Sequence, residues 1–171
     1  MELERWHDFF VLVGTAGATL VALLFVAVSL GAGLLTEKRE AATRAFFSPV
    51  VVHFTAVFFI SAVGLFPAHN PFTFAAMVGG CAAIGGGFAL FTTVELLRHS
   101  WTSYFQDHLA YGLLPMIAYV ALLVAAAMIL AEHDYALIVL ACSLLLLLIV
   151  NIRNAWDLTL SMARLQTKRR R

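Results

Sequence analysis

Residues 72–94 read FTFAAMVGGCAAIGGGFALFTTV, a stretch without a single Asp, Glu, Lys or Arg. At 1.5 Å of rise per residue it is long enough, as a helix, to cross the roughly 30 Å of hydrocarbon in a bilayer. Gly85, Gly86 and Gly87 in its middle raise the competing reading of a broken, re-entrant segment. The basic residues decide between the two. If 72–94 crosses, then Lys38, Arg39, Arg44, Arg98, Arg153, Arg164, Lys168, Arg169, Arg170 and Arg171 all fall on one side of the membrane and only Arg5 on the other, as the excess of basic residues in cytoplasmic loops requires. If it does not, Arg98 and the whole basic end face outward, against that rule.

Four further charge-free runs surround it, at 9–35, 46–66, 109–131 and 135–152. The sequence therefore predicts an all-α fold, a polytopic membrane helix bundle of five transmembrane helices with the N-terminus outside and the C-terminus cytoplasmic. It forms a single domain, 1–171, ending in a basic cytoplasmic tail at 153–171. The first run is longer than the apolar core of a cleavable signal, and the residues before it are acidic on balance, so it reads as a retained span. Trp6 and Tyr135 fall at the outer boundary, Trp101 and Trp156 at the inner one. Pro67, Asn70 and Pro71 make one outer turn and Glu132, His133 and Asp134 another, which predicts antiparallel pairing of spans two with three and four with five. Ser48 and Pro49 read as a helix cap and a first-turn proline.

Composition agrees. Of 171 residues, 62% are hydrophobic and 12% charged, with a mean hydropathy of +0.91, against roughly 45–50% apolar and about 25% charged in soluble domains. With 11 Lys and Arg against 10 Asp and Glu, there is no electrostatic footprint for nucleic acid. The expected partners are the lipid bilayer, anionic headgroups beside Lys168 to Arg171, and a second copy of the chain in a homo-oligomer. Cys81 and Cys142 read as small packing residues rather than a disulfide framework.

Helices in lipid associate where small side chains let backbones approach. Two series at i+4 spacing fit this, Ala75, Gly79, Ala83 and Gly87 in the third span and Gly14, Ala18 and Ala22 in the first. They are expected to pack helices within the bundle or to form a seam between copies, and bulk at Gly79 or Gly87 is expected to be poorly tolerated.

Ionisable groups at membrane depth are costly and mark function. His53, four residues after Pro49, is the one such group within a span; Glu95, Asn151 and Asn154 fall towards the same end and would complete an inner polar layer able to relay protons or bind an ion. On the outer side, His7, Asp8, His69, Glu132, His133 and Asp134 come from three loops or termini and are suitable metal donors by type, without the spacing of a metal motif; no metal and no cofactor is predicted. A haem would need His53 paired with His99 or His108. No GxSxG, phosphate loop, dinucleotide fingerprint or catalytic carboxylate pair occurs, which argues against an enzyme.

The segment Trp6 to Gly14, WHDFFVLVG, continuing through Leu24 to Ser29, LFVAVS, resembles the opening of small bacterial integral membrane proteins of unassigned function. The resemblance implies a bacterial inner membrane and carries no activity with it. Function is thus expected to be that of a channel-like homo-oligomer conducting ions or protons, with an accessory or scaffolding subunit as the alternative and a haem- or metal-binding protein as a third.

Overall fold

The computed structural model describes residues 3–31, 37–67, 70–99 and 109–169. A 3-10 turn at Leu3–Trp6 leads into α1 (His7–Gly31), followed by α2 (Glu37–Gly64), α3 (Pro71–His99), a π turn at Leu109–Leu113, α4 (Leu114–Leu130) and α5 (Ala136–Arg169). Among the described residues there is no strand. Four helical stretches, Leu3–Ala27, Pro71–Glu95, Leu109–Leu130 and Ala136–Leu160, are long and apolar enough to cross a membrane, and Pro49–Gly64 forms a shorter apolar helix. Large apolar side chains such as Leu12, Phe25, Ile84, Phe91 and Ile149 point away from the bundle. In water such a coat would drive aggregation; in lipid it costs nothing, so the surface is compatible with a multi-pass membrane protein.

The helix through 72–94 is unbroken across Gly85 to Gly87. Elsewhere the expected boundaries shift. Pro49 does not open a helix but lies inside α2, which starts at Glu37, so the expected cap at Ser48 is corrected. Proline removes one backbone donor and crowds the preceding turn, but a helix held by its neighbours keeps its course around that defect. The segment from Arg153 is helical and continues α5 to Arg169, with Arg153 paired to Asp157 one turn on at 3.6 Å.

Each helix buries a face that repeats every seven residues. On α5 the buried series is Leu137, Leu140, Leu144, Leu147, Asn151, Asn154 and Leu158; on α4 it is Pro115, Ala118, Leu122, Ala125 and Ile129; on α3 it is Ala75, Val78, Ala82, Gly85, Ala89 and Thr92; on α1 it is Phe10, Val13, Gly17 and Leu24. A seven-residue repeat keeps one seam facing a partner under gentle left-handed winding. The strongest pairings are α3 with α4, α1 with α2 and α4 with α5, while α2 also meets α3 and α5, and α5 meets α1. Helices α2 to α5 thus surround a common interior.

Close contacts fix the registers. Gly112 lies against Thr93, Gly86 against Tyr119 and Gly79 against Ala126, so α3 and the π turn with α4 run antiparallel in one register over about 21 Å of helix rise. Gly14 meets Ser61, and Gly64 meets the ring of Phe10, which sets α1 against α2 in the same way. Hence the N-termini of α1, α3 and α5 and the ends of α2 and α4 share one end of the bundle, the end of the α4–α5 turn.

That turn closes with backbone geometry that carries a sequence surprise. His133 N donates to Met128 O at 2.9 Å and Glu132 N to Ile129 O at 3.1 Å, the paired bonds of a Schellman termination. The residue in the left-handed position is Glu132, with φ 52°, where glycine is the usual occupant.

Candidate functional site

His53 stands on the buried face of α2, 1% exposed. Its Nδ1 lies 2.8 Å from the Tyr119 hydroxyl of α4, a bond in which either group can donate according to the imidazole tautomer. Tyr119, itself 1% exposed, fits between helices because α3 offers no side chain there. A Cβ on Gly85 would overlap the Tyr119 ring, and one on Gly86 would come within 3.3 Å of the Tyr119 Cβ. The glycines that threatened to break the span instead form the cradle of an aromatic ring.

A second node lies nearer the opposite end. Asn154 Nδ2 donates to the carbonyl of Ala110 at 2.9 Å, and the Tyr111 hydroxyl donates to the carbonyl of Asn154 at 3.0 Å. The π turn at Leu109–Leu113 widens the helix by one residue and displaces its backbone acceptors; Asn154 and Tyr111 tie it to α5. Asn151 uses its amide on Leu147 O at 2.8 Å, one turn back on its own helix. Among the described residues, four buried side-chain atoms have no hydrogen-bond partner: His53 Nε2, Ser61 Oγ, Asn151 Oδ1 and Asn154 Oδ1.

The expected inner layer is therefore drawn out along the bundle. The register that sets Thr93 beside Gly112 puts Glu95, partly buried, level with Ala110 and so with Asn154. Asn151 is about one turn further in, and His53 about another. Of the four, His53, Asn151 and Asn154 are fully buried within a single copy of the chain.

The small-residue series divide in the same way. Gly14 and Gly79 sit in helix contacts and Ala75 is buried, but Ala18, Ala22, Ala83 and Gly87 are exposed, and a Cβ on Gly87 would meet nothing within 4 Å. The reason is geometric: four residues turn a helix by about 400°, so an i+4 series drifts some 40° per step off a face that the seven-residue repeat holds steady.

Outer candidates are dispersed as ligands. His7 bonds Asp8 at 3.2 Å, both exposed; His133 lies beside Tyr135; His69 is outside the described residues. Among the described residues no three of His, Cys, Asp and Glu converge as a metal site. The haem pairings of His53 fall on the His99 side chain and on His108, which also lie outside them. Glu132, His133 and Asp134 do share a cavity of about 610 Å³ with Arg5, Trp6 and Pro71. Cys81 and Cys142 are free thiols, partly buried and exposed respectively.

Sequence reasoning missed Tyr119, Tyr111 and Ser61. A bulky aromatic on one span facing a glycine pair on another is the signal that could have found Tyr119. The chain matches no protein-family model, no curated protein and no solved structure.

Proposed function

We propose that this chain is a five-span protein of a bacterial inner membrane, N-terminus outside, that passes protons through the interior of its own helix bundle. The topology rests on the placement of the basic residues, with Lys168 to Arg171 held at anionic headgroups on the cytoplasmic side. The conduction reading rests on one observation: a buried imidazole bonded through one nitrogen to Tyr119, with the other nitrogen open.

Its neighbours extend it. Counted by helix rise from Gly64, Ala136 and Leu130, the buried polar side chains Ser61, Ser143, His53 with Tyr119, Asn151 and Asn154 fall at about 5, 10, 17, 22 and 27 Å. That is a series of polar steps over about 22 Å of the roughly 30 Å of hydrocarbon. Polar groups kept only to join helices find their partners on the neighbouring helix, and an unsatisfied group in hydrocarbon costs several kcal/mol. Four open atoms along the series call for water to complete them. An imidazole can take a proton on one nitrogen and release one from the other, which suits it to a relay. Tyr119 packs against Gly85 with no room for even a Cβ between them, which favours protons over hydrated metal cations.

The route lies within one copy, so conduction needs no seam between copies; exposed Gly80, Ala83 and Gly87 leave a face where a homo-oligomer can form. Purified protein in liposomes carrying an internal pH dye and an imposed potassium diffusion potential tests the reading. Dye acidification that falls sharply in His53→Ala, with the helical spectrum intact, is the expected result. No acidification at any potential overturns it, and recovery of the chain with a second protein would then favour an accessory subunit.

A further inference from the structure

The cavity at the α4–α5 turn belongs to no step of the proton route, and its chemistry is of another kind. Its lining combines the apolar Pro71, Ile129, Ala136, Leu137 and Ile138 with Arg5, Trp6, Glu132, His133 and Asp134. About 610 Å³ lies in the range of pockets that enclose small ligands. We propose that this cavity binds an amine-bearing zwitterion of the phosphoethanolamine class. The proposal rests on the membrane reading of the chain and not on conduction.

Charge selects the ligand. One guanidinium stands against two carboxylates in this lining, so a purely anionic group is disfavoured and an ammonium finds acceptors. Glu132 and Asp134 supply acceptors for that ammonium, and Trp6 a ring face that attracts cations. Arg5 is the complement of the phosphate, which its planar fork engages better than an ammonium would. The apolar part of the lining takes the glycerol and first methylenes if the ligand is a lipid. Position agrees, because Trp6 and Tyr135 mark this end as a headgroup-level boundary, where such a zwitterion is concentrated in a phosphoethanolamine-rich bilayer.

The test is native mass spectrometry of the full chain released from nanodiscs containing equal phosphatidylethanolamine and phosphatidylglycerol. Wild type is expected to retain the ethanolamine lipid about tenfold over the glycerol lipid, the discrimination that one charge-assisted hydrogen bond supplies. Glu132→Gln with Asp134→Asn should abolish that preference, and Arg5→Gln should weaken retention of both lipids. Adding free phosphoethanolamine separates the two sources: displacement of the lipid assigns the site to the headgroup alone, and no displacement assigns it to the anchored lipid. Equal retention of both lipids by wild type, or an unchanged preference in the double carboxamide variant, overturns the proposal. Proton flux measured on the same variants is expected to be unchanged, so failure here is distinct from failure of the relay.

Discussion

The hydroxyl of Tyr119 lies 2.8 Å from His53 Nδ1, and its ring fills the space that a side chain at Gly85 would occupy. Three helices thereby meet at one polar node. α3 gives up bulk, α4 supplies a ring with a polar tip, and α2 presents the imidazole that the tip reaches. Tyrosine is apt because its body is apolar and only its end needs a partner. Without the glycine pair the ring would be pushed out of the seam and the imidazole would lose the one bond that orients it.

Gly85→Ala is accordingly the most informative small change in the chain. The added methyl would have to displace the Tyr119 ring, so a loss of about 1–3 kcal/mol is expected, as for other overpacked cores. Gly80→Ala, on the same helix with nothing within 4 Å, should be neutral or gain up to about 1 kcal/mol of helix propensity. Thermal unfolding in detergent checks both, and equal midpoints would refute the cradle.

The His53 and Tyr119 bond has a measurable strength of its own. In a cycle of His53→Ala, Tyr119→Phe and the double variant, the coupling should be about 0.6 kcal/mol and not above about 1.7, the span measured for buried bonds between membrane helices. A coupling of zero, by reversible unfolding in mixed micelles, would show that the two groups do not pair in solution.

Element existence was legible in the sequence because charge-free runs of this length have few other uses, and His53, Asn151 and Asn154 were legible because polar groups stand out against such runs. What was hidden is which face of each helix is inside. Outward-facing Leu12 and Ile84 are as apolar as core Leu122 and Val78, so hydropathy carries no inside–outside contrast, and two members of the i+4 series of small residues, Ala83 and Gly87, are exposed. The start of α2 was hidden by Pro49, whose ordinary reading as a first-turn residue fails in a helix held by its neighbours. Tyr111 and Tyr119 were not singled out because their partners lie on other helices.

Asn154 should matter more than a surface asparagine at a helix end would. Asn154→Leu strands the Ala110 carbonyl in the π turn, at a cost of about 1–3 kcal/mol for an unmet buried acceptor, whereas Tyr111→Phe removes only one donor to a carbonyl already engaged in its own helix. Amide hydrogen exchange over 109–113 should therefore accelerate in the first variant and change little in the second. Unaltered exchange in Asn154→Leu would mean that the π turn stands without its clamp.

Glu132 holds a left-handed conformation that costs a non-glycine residue about 1–2 kcal/mol, and it does so at the rim of the cavity. Glu132→Gly removes that strain, keeps the Schellman bonds, which are made by backbone, and is expected to raise stability by about 1 kcal/mol. The same change removes a carboxylate proposed to hold the ligand's ammonium, so preference for the ethanolamine lipid should fall as the melting temperature rises. Strain is retained at sites where the side chain has a task, and opposite signs for stability and binding in one variant are the signature of that. Glu132→Gln separates the terms, since it keeps the strain and loses only the charge: its stability should match wild type and its lipid preference should fall. A glycine variant no more stable than wild type in a thermal melt would remove the strain argument, and one that kept its lipid preference would remove Glu132 from the site.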